Sequence, residues 1–112
     1  MTARDIPSDI VIRGQRWRVL WRNPEDSTWR TEGLWGATFH DTQEIHLCTS
    51  LRYMPAKLQE IWVHELLHAS LPHRVKHGRP RGVDNNIEEK LINTIAPALA
   101  LALNQTGWRR YK

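Results

Sequence analysis

The sequence predicts an α+β fold: a small antiparallel or mixed sheet of three to four strands, packed on a central helix and a C-terminal helix. Three observations lead there. Apolar residues alternate at Trp17, Val19 and Trp21 and again at Ile45 and Leu47, the period of half-buried strands. A helix-length segment opening at Pro55 carries apolar residues on two sides, so it needs cover on both. The strand-like segments all precede the helical ones, an order that separates α+β domains from alternating βα units. With 112 residues the chain reads as one domain, 1–112, large enough for a single core.

Residues 1–9 are polar and include Pro7, and read as a flexible lead-in. Ile10-Val11-Ile12, the turn Arg13-Gly14-Gln15 and Trp17 to Trp21 form a hairpin. Asn23 to Ser27 has loop composition, and Leu34 to Phe39 is a third strand. His40 to Gln43 turns into Glu44-Ile45-His46-Leu47-Cys48, where His46 points away from the face of Ile45 and Leu47. Pro55 suits the first turn of a helix reaching about Leu71, because its missing N–H costs nothing there. On that helix Leu58, Trp62, Leu66 and Ala69 make one stripe, and Ile61 and Leu71 lie on nearly the opposite side. The strands are expected against one side and the last helix against the other. Pro72 ends the helix, and 72–86 is a loop. Asp84, Asn85 or Asn86 caps a last helix from Ile87 to about Asn104, which Pro97 should kink or divide. Residues 105–112 are a basic aromatic tail.

Composition narrows the function classes. The formal charge of +4 permits acidic partners without requiring them. A single cysteine, Cys48, excludes an internal disulfide, and the opening residues lack the apolar stretch of a secretory signal, so a cytoplasmic setting is expected. The longest apolar run, Ile95 to Leu103, is too short for a bilayer, and no membrane partner is expected. Six tryptophans suggest a core filled with large rings or an aromatic-lined groove.

The chemistry concentrates in His64-Glu65-Leu66-Leu67-His68. Histidines four apart on a helix share a face about 6 Å apart along the axis, so both imidazoles can reach one Zn2+ ion. Glu65 projects about 100° away from His64, where it can face a water molecule instead of the metal. Two histidines hold zinc weakly, so a third ligand is required. Downstream candidates are His73, His77, Glu88 and Glu89. Leu91, Ile92, Ile95 and Leu99 lie within about 60° of the Glu88 direction and Glu89 is rotated about 100° from it, which turns Glu88 inward as the metal ligand. The competing reading of Glu88 is a carboxylate stabilising the helix N-terminus. His77, beside Gly78, can fold back onto a metal, and His73 can instead hydrogen-bond a substrate carbonyl. His40 and His46 are not expected to be ligands.

The order of strand pair 36–47, motif helix with His64, Glu65 and His68, and later helix with Glu88, Leu91 and Ile95 resembles the minimal zincins of phage and mobile-element type, related to ImmA/IrrE-like metallopeptidases. The likeness covers about residues 33–103 and extends more distantly to SprT-like proteases. In the first family a later glutamate completes a His/His/Glu zinc site, which implies that role for Glu88. SprT-like proteases use a later histidine, often before glycine, which keeps His77 as the alternative, with Glu89 behind it.

The expected activity is zinc-dependent hydrolysis of peptide bonds in a protein or peptide substrate, with Glu65 as general base toward a water whose pKa zinc lowers to about 7. His73, His77 or Tyr53 would steady the oxyanion, and an extended substrate would pair with the strand Glu44 to Cys48. A rival reading makes the chain a zinc-containing module that binds nucleic acid, or a protease recruited to DNA. It rests on Arg74, Lys76, Arg79 and Arg81 in the loop and on the tail from Trp108 to Lys112.

Overall fold

The computed structural model describes residues 1–25, 35–71, 75–76, 79–80 and 82–106, with side chains left undescribed at 75–86 and 104–106. The fold is α+β. Strands β1 (Asp9–Ile12), β2 (Gln15–Arg22), β3 (Gly36–Phe39) and β4 (Glu44–Cys48) form one mixed sheet in the order β1-β2-β4-β3. Helix α1 (Pro55–Ser70) carries the His-Glu-x-x-His segment, and α2 (Gly82–Thr106) follows a two-residue ladder of β5 (Val75–Lys76) and β6 (Arg79–Pro80). None of the described helices is long and apolar enough to cross a membrane.

The β1–β2 hairpin forms as expected. Ile12 pairs with Gln15, and Arg13 and Gly14 between them both adopt positive φ, 52° and 79°, which the two-residue turn of a twisted hairpin requires. The third strand begins at Gly36, two residues later than expected. It runs antiparallel to β4, while β2 and β4 are parallel, so β4 lies inside the sheet with partners on both sides. Pairing of a substrate with Glu44–Cys48 is therefore ruled out, since both rows of β4 backbone groups are already engaged. Among the described strands, β1 and β3 are the edges.

Helix α1 is the middle layer. Leu58, Trp62 and Ala69 enter a core with Trp17, Val19, Ile45, Leu47 and Leu51, and Leu66 and Ile61 pack against it. On the other side Val63 is buried with Ile92, Ala96 and Ala100 of α2, and Leu67 and Leu103 pack around them. The second apolar side is thus Val63 and Leu67, not Ile61 and Leu71. Ile61, four residues before Glu65, lies only about 40° from it around the helix and falls with it toward β3, and Leu71 lies beyond the helix end. Of the six tryptophans, Trp17 and Trp62 fill the core, whereas Trp35 is exposed.

Residues 1–9 are packed, not loose. Met1 and Ile6 are buried in the main core, Thr2 and Asp5 close a capping box on the 3-10 turn Ala3–Asp5, and the Val19 amide donates to the Ser8 carbonyl at 2.8 Å. Two apolar anchors flanking a polar turn outweigh the composition signal. The last helix starts five residues earlier than Ile87 and runs undivided through Pro97. Pro97 and Asn93, whose carbonyl loses its usual donor, are both exposed, so water can replace the missing N–H. The expected caps Asp84 to Asn86 fall inside the helix, and residues 107–112 of the tail lie outside the described residues.

Candidate metal centre

His64 and His68 project from α1 into the cleft between the α2 side, marked by Val63 and Leu67, and the β3 side, marked by Ile61 and Glu65. Their Nε2 atoms are 3.2 Å apart. The Glu89 carboxylate meets both: Oε1 lies 3.3 Å from Nε2 of His64 and Oε2 lies 2.9 Å from Nε2 of His68. Ligand bonds of about 2.0–2.1 Å in a tetrahedral site place donors about 3.3–3.4 Å apart. The His64–His68 spacing is close to that edge length, and with one oxygen from Glu89 the three side chains offer ligand atoms within 4.8 Å of one another, so two imidazole nitrogens and a carboxylate oxygen could hold a divalent metal ion.

Glu88 occupies a different place. Its Oε2 is 2.7 Å from Nδ1 of His68, on the ring edge facing away from the three-donor centre. The expected phase of the last helix is corrected accordingly. Leu91, Ile95 and Leu99 are exposed, and the packed face is Ile92, Ala96 and Ala100. That face centres about 80° from Glu88 but only about 20° from Glu89. The phase argument followed the bulkiest residues, whereas two helices in close approach select small ones.

Glu65 is buried and sits against β3. Its Oε1 accepts a hydrogen bond from the Thr38 hydroxyl at 2.8 Å. Burial pushes its carboxyl above the usual carboxylate range, against the opposing pull of Thr38 and His68. Gly36, on the same strand face as Thr38, lets the strand come close. A Cβ there would stand 2.8 Å from Cγ2 of Ile61 and 3.1 Å from both Cγ and Oε2 of Glu65. His64 is held below the ordinary histidine value, first by burial and then by His68, with Glu89 acting the other way.

The C-terminus of α1, one turn beyond the histidines, is pinned from the sheet. His40 places Nε2 3.0 Å from the His68 carbonyl and 3.2 Å from that of Leu71, and its ring meets Trp17 edge-on. Arg13 donates to the Ser70 carbonyl at 3.4 Å. His46 is buried elsewhere, its Nε2 3.1 Å from Oε1 of Glu44, which also pairs with Arg18.

Tyr53 is 88% exposed and lies in the 3-10 turn Thr49–Tyr53 that precedes α1. His73, His77, Arg74 and Arg81 lie outside the described residues. Lys76 and Arg79 face one another in the β5–β6 ladder, and their side chains are not described. Sequence reasoning missed Gly36, Thr38 and His40. A glycine two residues before a threonine inside a short strand was the available sign, since strand glycines often mark close approach.

Compared with protein-family models, with curated proteins and with solved structures, the chain has no match. A functional reading rests on the geometry of the centre itself.

Proposed function

We propose that the chain is a zinc-dependent metallopeptidase whose metal is held by His64, His68 and Glu89. The observation that supports this reading is the convergence of two Nε2 atoms 3.2 Å apart with the Glu89 carboxylate, one oxygen toward each, and a buried carboxylate, Glu65, next to the first histidine on the same helix. Zinc bound there supplies a lowered pKa for water and polarises a carbonyl. Glu65, its Oε1 steadied by Thr38, would take the proton from the attacking water and pass it to the leaving amine. Its raised affinity for protons suits a group that must hold one between those two steps. An extended substrate would lie along the outer edge of β3, the strand against Glu65, where backbone pairing supplies affinity. A cytoplasmic setting belongs to the same proposal, supported by the lone, buried Cys48.

The test combines metal analysis with cleavage of unstructured protein substrates. The purified chain should carry one zinc, and Glu65→Gln should retain it while losing at least about 100-fold in turnover. Native protein without zinc, or a Glu65→Gln variant that cleaves at the native rate, would defeat the proposal.

A further inference from the structure

We infer that the adjacent acids of α2 divide the work at His68, Glu89 facing the metal and Glu88 acting as a positioning residue that fixes the imidazole from behind. The inference rests on the zinc reading above and adds a role for a residue outside the ligand set. His68 has two ring nitrogens that point outward from different edges of the ring. One, Nε2, faces Nε2 of His64 and the Glu89 carboxylate. The other, Nδ1, faces Oε2 of Glu88 at 2.7 Å, the length of a charge-assisted hydrogen bond. A carboxylate accepts only, so this contact requires the proton on Nδ1. In the neutral imidazole of a metal ligand that leaves the lone pair on Nε2, turned into the centre, where the Glu89 oxygen 2.9 Å away would be a fellow ligand and not a hydrogen-bond acceptor.

The arrangement also restrains the ring. Glu88 blocks the flip that would exchange Nδ1 and Nε2, and its negative charge makes the ring a stronger donor at Nε2. Among the described residues His64 has no acid hydrogen-bonded behind it: Glu89 meets it on the Nε2 side, and Glu60 acts on it only at longer range. The two histidines are therefore unequal, and His68 is the one whose orientation is fixed in advance. The helix makes the division possible. Successive residues differ by about 100° around the axis, so two neighbouring acids reach opposite edges of one ring that lies across the helix surface.

Zinc affinity, measured by competition with a chromophoric chelator, tests the division in the native chain, Glu88→Ala, Glu88→Gln and Glu89→Ala. Glu88→Ala should bind one zinc about 10- to 100-fold more weakly, with an unchanged visible spectrum of the cobalt-substituted protein. Glu88→Gln should lose less, because its amide oxygen still accepts the Nδ1 proton without the charge. Glu89→Ala should lose tight one-to-one binding and change the cobalt spectrum. In the native zinc protein the His68 Nδ1 proton should give a protected, downfield NMR signal that Glu88→Ala loses to solvent exchange. Should Glu88→Ala fail to fold, as judged by circular dichroism, Glu88→Gln and the NMR signal decide. Native affinity in the Glu88 variants overturns the inference and leaves the zinc reading standing. A cobalt spectrum altered by Glu88→Ala and not by Glu89→Ala also overturns it, by making Glu88 the ligand. A native chain that binds no zinc removes both.

Discussion

Replacing Gly36 with alanine isolates the contact between β3 and the motif helix. Two effects of opposite sign compete. Gly36 has no positive φ, so alanine fits its backbone and should stabilise the protein by about 0.4–1 kcal/mol through the unfolded chain. Against this, the new methyl would stand 2.8 Å from Cγ2 of Ile61 and 3.1 Å from two atoms of Glu65. Neither neighbour yields freely. Ile61 is β-branched and half-buried in a helix, where one rotamer dominates, and Glu65 is buried with Oε1 bound by Thr38. Overpacking at such a contact costs about 1–3 kcal/mol, so the central expectation is a net loss of about 1.3 kcal/mol, within outer bounds of about 0–2.6 kcal/mol. Thermal unfolding of the metal-free protein reads it, at about 4–8 °C in Tm per kcal/mol for a domain near this size. The double variant with Ile61→Ala identifies the cause: with Cγ2 removed, Gly36→Ala should cost less, with a coupling of about 0.5–2 kcal/mol. A Tm at or above the native value, or the same cost in both backgrounds, would refute the close-packing argument.

Two further outcomes follow from the described contacts. His40→Ala removes the donor shared by the carbonyls of His68 and Leu71 together with the edge-on contact to Trp17, and should cost about 1–3 kcal/mol, read as a lower urea midpoint at unchanged slope. Glu44 is held below the usual carboxylate range, first by its hydrogen bond from Arg18 and then by His46. Its folded-state pKa is depressed, so its contribution is present above the ordinary value near 4.5 and lost as pH falls through the folded value. Glu44→Gln should therefore flatten the acid side of the stability curve between pH 4.5 and that lower value; an unchanged acid slope contradicts the assignment.

Strands and helices were legible because their periods are local. Trp17, Val19 and Trp21, Ile45 and Leu47, and the start at Pro55 all mark elements that the structure contains. What escaped depends on contacts distant in sequence. Nothing in Gln15–Arg22 or Glu44–Cys48 states that these strands run parallel with β3 outside them, because strand direction is set by the intervening chain and not by side-chain alternation. The place of Glu88 failed for a related reason: hydrophobicity favoured Leu91, Ile95 and Leu99 as the inner face, but contact with Val63 and Leu67 selected Ile92, Ala96 and Ala100. The His64, Glu65 and His68 spacing survived because one helix carries all three residues. Thr38 and His40 left no local sign, and Gly36 only the hint of a strand glycine, because each acts on a helix that begins at least 15 residues later in the chain.

The centre forms where three elements meet, and each packing contact controls a different part of it. The sheet core, through Ile61, Gly36 and Thr38, sets where Glu65 points. The cap from His40 fixes the last turn of α1, which carries His68. The contact of Val63 and Leu67 with the alanine face of α2 sets how near Glu88 and Glu89 come to the two imidazoles. This last contact is extensive but poor in apolar bulk, for Ile92 is the only large side chain of α2 among the buried members of that cluster. Alanines permit close approach but remove little apolar surface from water, so the acid-to-histidine contacts must contribute to holding α2 in place. An ion shared by His64, His68 and Glu89 would cross-link the two helices beside the contact of Val63 and Leu67 with α2, and its binding free energy would appear as stability of that junction.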